Sequence, residues 1–268
     1  MSDLVLSGLY HYPVKSLAGI SLQRSLLDRF GLQHDRRWML VDQEGEFLSQ
    51  RRLPRMALIG QRITEQELIL HALGQPDLHL PLAPASGAWI DVKIWDENCK
   101  AQRCGEAADA WLSEFLELPC RLVFMPDSLA RKVDPTYASE SDLTAFSDGF
   151  PLLLLSEASL AELNGRLDVP VAMQRFRPNL VVTGCGAFAE DGWKWLRIGE
   201  MTLRVVKPCS RCIITTIDPA TAERGEEPLQ TLSEYRRQGN KVYFGQNLLH
   251  DGTGQLAVGM RVEVLETS

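Results

Sequence analysis

The chain has 268 residues, 45% of them hydrophobic and 24% charged, a composition typical of folded globular proteins with one large domain or two joined domains. Its net charge of −7 argues against nucleic acid as the main partner, because phosphate binding favours a basic surface. The longest aliphatic run, residues 152–155, is far below the roughly 18–20 residues of a membrane helix, and no signal-peptide pattern is present, so we expect a cytoplasmic protein with no membrane partner.

Short strands and one helix are predicted along the first half of the chain. Residues 66–87 hold three prolines among small and polar side chains, which indicates loops between short edge strands. Residues 106–118 predict a helix, because five apolar side chains recur at helical spacing and form one stripe facing a core. These side chains are Ala108, Trp111, Leu112, Phe115 and Leu116.

A second helix is predicted directly after residues 152–155. Ser156 is placed to cap its first amide groups, and Gly165 and Pro170 mark its end. The buried face is formed by Leu160, Leu163 and Leu167.

The rest of the second half predicts strands. Residues 179–183 read as one strand, and residues 195–198 and 201–206 as a hairpin in which Gly199 supplies the turn. In residues 259–265 apolar and charged side chains alternate, with Met260, Val262 and Val264 on the buried side. The predicted fold class is mainly β with a few helices (α+β), and it is expected to be barrel-like because many short strands must protect their edges.

Two cysteines three residues apart, Cys209 and Cys212, follow a proline. Such a pair can be half of a zinc site, a dithiol redox pair, or a source of one thiolate for another metal centre. Zinc is disfavoured because the only other close pair, Cys99 and Cys104, has an unusual gap. A redox pair should open a helix, whereas the β-branched residues 213–217 predict a strand.

The remaining interpretation is a thiolate beside two cations, Lys207 and Arg211, which stabilise its ionised form and leave it able to bind a soft transition metal. The alternative is a purely structural role, in which Cys209 and Cys212 are two small hydrophobic side chains at a strand edge.

Basic and polar side chains recur in two other segments. Lys15 and Ser16, followed by Arg36, form a potential oxyanion receptor, especially for phosphate. Arg177 precedes a strand in extended geometry, since Pro178 follows it. The alternatives are surface salt bridges, with Asp35 pairing an adjacent arginine, and an arginine whose charge reaches solvent at a strand end. Phosphate-loop and histidine metal motifs are absent from the sequence.

Together these segments resemble a known family. The motifs YPVKS, DRxW, LSEASL, FRPN, CSRCIxTTxDP and FGQ occur here in this order, within about residues 4–265. This pattern resembles the MOSC superfamily, the molybdenum cofactor sulfurase C-terminal domain family. The similarity is greatest to the amidoxime-reducing component of mitochondria and to bacterial molybdenum-dependent proteins that detoxify N-hydroxylated bases.

The resemblance implies a bound molybdenum cofactor, Mo-molybdopterin, and a role for each matching residue. Cys212 would be the catalytic thiolate on the metal, with Cys209 a neighbour. Residues 149–150 match a segment whose backbone approaches the cofactor, and Asn247 stands where relatives can carry tyrosine. The implied cofactor-binding residues are Lys15, Ser16, Arg36, Gly149, Phe150, Arg177, Asn179, Ser210, Arg211 and Asn247.

The implied function is two-electron reduction of N-hydroxylated compounds such as amidoximes and N-hydroxylated bases. The alternative is a non-catalytic carrier of cofactor or sulfur with a persulfide-bearing cysteine. Because no ferredoxin domain is evident, electrons are expected from an external ferredoxin-like or flavin reductase protein. The resemblance also implies two domains: residues 1–36 plus 123–268 as a MOSC β-barrel, and residues 37–122 as an inserted MOSC N-terminal module.

Overall fold

The computed structural model describes residues 3–84, 87–129 and 131–268, which form 21 strands and three α-helices. The strands before the first helix are β1 Val5–His11, β2 Ile20–Leu22, β3 Arg24–Asp28, β4 Gly31–Leu32, β5 Trp38–Val41, β6 Gly60–Ile63, β7 Glu67–His71, β8 Leu78–Pro81, β9 Trp89–Ile94 and β10 Glu97–Arg103. Helix α1, Glu106–Leu116, is followed by β11 Arg121–Phe124, β12 Arg131–Lys132, β13 Leu143–Thr144 and β14 Leu152–Ser156. The remaining elements are α2 Glu157–Asn164, β15 Leu180–Thr183, β16 Trp193–Ile198, β17 Met201–Arg211, α3 Leu229–Tyr235, β18 Arg237–Gln238, β19 Lys241–Asp251, β20 Gly254–Ala257 and β21 Val262–Thr267.

The largest sheet follows the order β2-β1-β15-β14-β19-β17-β16-β21, and β18 pairs with β19. Strand β1, next to one end of this sheet, meets the segment that enters β21 at the other end, because Leu6 N donates to Met260 O and Gly259 N to Leu6 O, each at 2.8 Å. Val262 N donates to Leu4 O at the same distance. The mainly β fold class is therefore confirmed, and these bonds join the sheet into a barrel whose interior is filled by leucine and valine side chains.

Residues 38–124 build a second group of sheets, β5-β11-β10-β9 and β6-β7-β8. Trp38, Leu112 and Phe115 belong to the apolar cluster that packs α1 against these strands. Two short sheets, β20-β3-β4 and β12-β13, complete the pairing of the described strands. Strands from residues 38–124 pair with one another in these sheets, which is consistent with a module inserted at residues 37–122. The domain boundaries themselves stay a prediction.

Most of the predicted elements are confirmed. Helix α1 buries all five predicted side chains, and α2 begins with the Ser156 hydroxyl accepting from Ser159 N at 3.0 Å. Of the predicted buried face of α2, Leu163 is fully buried and Leu160 and Leu167 are partly buried. Strand β15 and the β16–β17 hairpin lie where expected, with Gly199 at a φ of 59°.

Two of the expectations for strands were wrong. Residues 213–217 are not a strand: Ile213–Thr216 is one 3-10 turn, stabilised because Thr215 Oγ1 donates to Cys212 O at 3.0 Å. In β21, Val262 is buried but Val264 is exposed, because β16 is the only strand seen beside that end of β21 in the described residues, and their pairing is bulged.

Three histidines on the barrel side, His11, His34 and His250, are largely removed from water. Burial lowers the pKa of each, that of His34 to about 4. A histidine whose pKa is lowered by folding binds its proton more tightly in the unfolded chain, so its contribution to stability is present above about pH 6.5 and is lost as the pH falls. For His34 this loss extends from about pH 6.5 to about pH 4.

We therefore expect the free energy of unfolding to fall between pH 6.5 and 5, with His34 contributing up to about 1.4 kcal/mol per pH unit. His34→Asn should reduce this slope, because asparagine tolerates the left-handed φ of 65° at this position but does not titrate. Urea unfolding at several pH values measures the slope, with the exposed His71→Asn as control. An unchanged slope in His34→Asn would contradict the assignment.

Candidate active site

A cavity of about 160 Å³ lies where one rim of the barrel meets residues of the second group of sheets. Every site residue that the sequence predicts borders it. These residues are Lys15, Ser16, Arg36, Gly149, Phe150, Arg177, Asn179, Ser210, Arg211, Cys212 and Asn247.

Strand pairing explains why residues so distant in the sequence come together. The end of β1 lies beside the start of β15, and the parallel strand β14 begins at the same rim. Leu153 of β14 pairs with Asn247, which pairs with Lys207 of β17. Segments that enter or leave these neighbouring strands at that rim therefore converge on one cavity.

Ser16, Arg36 and Arg177 have left-handed backbones, with φ of 68°, 49° and 55°. The extended geometry expected for Arg177 before Pro178 was therefore wrong, because its backbone ends a 3-10 turn, Met173–Phe176, in the left-handed region. Such conformations are uncommon for residues other than glycine and concentrate at functional sites. Hydrogen bonds fix two of them, because Arg36 N donates to Tyr12 O at 2.9 Å and Arg177 N to Gln174 O at 3.1 Å. The strained loops thus direct two arginines to the same region.

The Tyr12 ring supports both of these arginines. The guanidinium carbons of Arg36 and Arg177 lie 4.3 and 4.2 Å from its centroid, and the Tyr12 hydroxyl donates to Pro178 O at 3.0 Å. Burial raises the pKa of Tyr12, so the ring stays neutral and offers its face to two cations.

The cavity lining is strongly positive. Five of the lining side chains are cationic and one is acidic: the cations are Lys15, Arg36, Arg51, Arg177 and Arg211, and the acid is Asp148. Burial lowers the pKa of Arg177 to about 10, which leaves it charged at neutral pH. This excess of charge favours an anionic ligand.

Two guanidinium nitrogens are available to such a ligand. Arg177 Nη1 donates to Leu17 O at 2.8 Å and Arg211 Nη2 to Phe176 O at 2.6 Å, which fixes both side chains. Arg177 Nη2 and Arg211 Nε are buried without a hydrogen-bond partner in the part of the chain that the structure describes. Buried donors normally have partners, and because these two belong to arginines that line the cavity, a ligand bound there can supply their acceptors.

Asn179 borders the cavity and also supports a neighbouring arginine. Its Oδ1 accepts from Arg36 Nη1 at 3.1 Å and from Leu153 N at 3.2 Å, and its Nδ2 donates to Tyr10 O at 3.1 Å. Arg36 also pairs with the buried Asp35 at 2.6 Å. Asn179 and Asp35 therefore orient Arg36.

The buried Lys15 ammonium makes an ion pair that the motifs did not reveal. It donates to Phe146 O at 2.8 Å and to Asp148 Oδ1 at 2.5 Å. Burial lowers the pKa of Lys15, and the Asp148 carboxylate opposes that shift. Loss of water contacts in the cavity would by itself raise the pKa of the Asp148 carboxyl, but Lys15 holds it well below its usual range, so Asp148 is ionised near neutral pH.

The two thiols lie at the end of β17 and both border the cavity. Arg211 Nη1 donates to Cys209 Sγ at 3.0 Å, so the cation contacts the first thiol. Lys207 does not line the cavity, because its ammonium lies over the Tyr137 ring at 4.3 Å. Of the two cations expected beside a thiolate, only Arg211 is therefore found there. The sulfur of Cys212 borders the cavity and has no hydrogen-bond partner among the described residues.

Sequence reasoning missed part of the lining, namely Phe47, Ser49, Arg51 and Trp95 from residues 38–124, and Ser147 and Asp148 beside the Gly149 segment. The signal that could have revealed Trp95 is its place in a two-residue turn between two strand-like runs, where glycine or asparagine is usual.

Over residues 3–84, 87–129 and 131–268, no group of three or more His, Cys, Asp or Glu side chains is arranged to hold a metal ion, so the zinc interpretation gains no support. None of the helices described has the length and apolar character required to span a membrane.

Comparisons with known proteins show clear similarities. Residues 4–119 match the model for the MOSC N-terminal beta barrel domain, and residues 142–263 match the model for the MOSC domain. Mitochondrial amidoxime-reducing component 1 of Mus musculus is 36% identical to this chain, and that of Homo sapiens is 38% identical. Each alignment covers 96% of this chain, and they cover 81% of the mouse protein and 82% of the human protein. Component 2 of Rattus norvegicus is 37% identical over 94% of this chain and 81% of that protein. Among solved structures, a Bordetella bronchiseptica protein covers 42% of this chain and 94% of its own at 21% identity and a TM-score of 0.33, too distant to inform the site.

Proposed function

The chain belongs to the MOSC-domain family that includes the amidoxime-reducing components, and on that basis we propose that it is a reductase of N-hydroxylated compounds. In this proposal the cavity binds a molybdenum cofactor, and Cys212 is the protein thiolate on the metal. The cytoplasmic location, the role in detoxification and the external ferredoxin-like or flavin electron donor are further parts of the same proposal.

The observation that carries the proposal is the pair of buried guanidinium nitrogens without partners, Arg177 Nη2 and Arg211 Nε, beside a thiol. A phosphate-bearing pterin offers the acceptor oxygens that these donors lack, and a thiolate is a suitable protein ligand for a transition metal. The Ser16 and Ser210 hydroxyls border the same cavity and can add neutral hydrogen bonds. The residues present therefore fit the proposed cofactor.

When bound, a molybdenum cofactor supplies a two-electron centre that can accept an oxygen atom from an N–O bond. Overall, the N-hydroxyl compound takes up two electrons and two protons, the N–O bond breaks, and the reduced compound and water are released. In this chain, Arg177 and Arg211 would hold the anionic end of the cofactor, while Tyr12 and Asn179 orient Arg177 and Arg36. The ion pair of Lys15 and Asp148 would place two opposite charges beside the Gly149 segment.

The test is to load the protein in a host that makes the cofactor and to assay benzamidoxime reduction with an artificial electron donor. We expect nearly one molybdenum per chain and conversion of benzamidoxime to benzamidine. Protein that carries molybdenum but reduces no N-hydroxylated substrate would overturn the reductase assignment. It would favour the alternative, a carrier with a persulfide on cysteine, which mass spectrometry would detect as added sulfur.

Removing one anion-binding cation should lower cofactor occupancy. Arg177→Ala and Lys15→Ala each remove a charged hydrogen-bonding group, an effect of about 1.5–3 kcal/mol that weakens binding roughly 10- to 100-fold. Molybdenum and pterin content of the purified variants measures the loss. Arg175→Ala is the matched control, because Arg175 lies two residues away but pairs with Asp218 at 2.9 Å and does not border the cavity. Full occupancy in both cavity variants would contradict the proposed anion site.

A further inference from the structure

One wall of the cavity is aromatic and comes from a part of the chain that the motifs do not cover. Phe47 and Trp95 meet edge to face with centroids 4.7 Å apart, and the Arg51 guanidinium lies 4.3 Å from the Trp95 centroid. Trp95 Nε1 donates to Asp148 Oδ1 at 3.3 Å, which ties this wall to the Lys15–Asp148 pair. The Trp95 side chain is nevertheless 38% exposed.

Folding alone does not account for a tryptophan at this position. Ile94 of β9 pairs with Glu97 of β10, so Trp95 and Asp96 form a two-residue turn. Trp95 has a φ of 57°, a conformation that is rare for bulky residues and costs about 1–2 kcal/mol. Glycine or asparagine would avoid this cost. A strained, exposed aromatic side chain that borders a cavity indicates a binding role.

Arg51 adds hydrogen-bonding capacity to the same surface. Its guanidinium stacks on Trp95 and makes no side-chain hydrogen bond or ion pair within the described residues. A flat aromatic surface next to free N–H donors suits a planar conjugated group that carries carbonyl or ring-nitrogen acceptors. An aliphatic compound has the same N–O bond but lacks the flat surface.

We propose that Trp95, positioned by Arg51 and Phe47, is the specificity-determining residue that selects planar, conjugated N-hydroxylated substrates over aliphatic ones. This inference rests on the proposed function, since it concerns the substrates of the same cavity. It assigns to residues 38–124 the substrate-facing wall, while the barrel rim supplies the anion-binding wall.

The first test compares benzamidoxime with acetamidoxime in molybdenum-loaded wild type and Trp95→Ala. We expect kcat/KM for benzamidoxime to fall roughly 10- to 30-fold, mainly through KM, while that for acetamidoxime changes less than about 3-fold. Trp89→Ala is the matched control, because Trp89 begins the strand that leads to Trp95 and is 50% exposed but does not border the cavity. An unchanged ratio of the two substrates in Trp95→Ala would overturn the inference.

A second variant separates binding from structure. Trp95→Gly places the residue that the turn favours at a left-handed φ, so we expect the melting temperature to stay within about 3 °C of wild type or to rise. Selectivity for benzamidoxime should still be lost. A merely structural tryptophan would instead lower the melting temperature and reduce activity on both substrates equally, which would overturn the inference.

Binding of benzamide, a neutral planar analogue with a carbonyl acceptor, tests Trp95 without turnover. By calorimetry, benzamide should bind Trp95→Ala about 10-fold more weakly than wild type, whereas Trp89→Ala should match wild type. Wild type that reduces neither amidoxime would overturn the proposed function, and benzamide binding would then decide the role of Trp95 separately. Equal affinity of wild type and Trp95→Ala would overturn that role.

Discussion

Replacing Cys212 by serine is expected to abolish reduction of N-hydroxylated substrates, with a loss of about 1,000-fold or more in kcat. The sulfur borders the cavity and has no hydrogen-bond partner in the described residues, so it is free to act as a metal ligand. A serine hydroxyl is a harder ligand and ionises far less readily, so it cannot replace the thiolate. Steady-state turnover with an artificial electron donor measures the loss, and the electron paramagnetic resonance spectrum of the metal should change as well.

Cys209→Ser is the matched control for this prediction. Cys209 borders the same cavity, but its sulfur accepts a hydrogen bond from Arg211 Nη1, an interaction that a serine hydroxyl can also make. We expect the variant to keep at least a third of wild-type activity. Comparable losses in both variants would show that the two thiols act together, and loss in Cys209→Ser alone would show that Cys209 is the ligand.

Motifs located much of this site in the sequence, and strand pairing explains why. Most of the motif residues at the cavity flank β1, β14, β15 and β17 at one rim, and Asn247, within β19, pairs with Leu153 beside them. Pro178 and the left-handed residues Ser16 and Arg36 belong to loops that leave that rim. The site residues are therefore grouped in short loop segments, which is why short sequence motifs located them. The same periodic patterns also predicted α1, α2 and the β16–β17 hairpin, because their buried faces are local in sequence.

Other parts of the site could not be predicted because they depend on contacts between distant segments. Arg51 and Trp95 are 44 positions apart in the sequence, and neither belongs to a motif. The sequence predicts that both Lys207 and Arg211 lie beside the thiols. Lys207 instead contacts the ring of Tyr137, which lies 70 positions earlier in the sequence. At residues 213–217, threonine hydroxyls bond to local carbonyls, and this outweighed the strand propensity of β-branched residues.

The stability of the barrel should depend strongly on Glu190. Its carboxylate is buried at the start of α2, where it accepts from Ser156 Oγ at 2.9 Å, Ser156 N at 3.1 Å and Ser159 Oγ at 2.7 Å. Glu190→Ala leaves Ser156 N and Ser159 Oγ buried without this acceptor, while Ser156 Oγ can still donate to Ser159 Oγ at 2.8 Å. We expect the free energy of unfolding to fall by about 4 kcal/mol and the melting temperature by about 10 °C. Urea unfolding and calorimetry measure both. The exposed Glu157→Ala, at the first position of α2, should lose less than about 1 kcal/mol, and similar losses in the two variants would contradict a central role for the buried carboxylate.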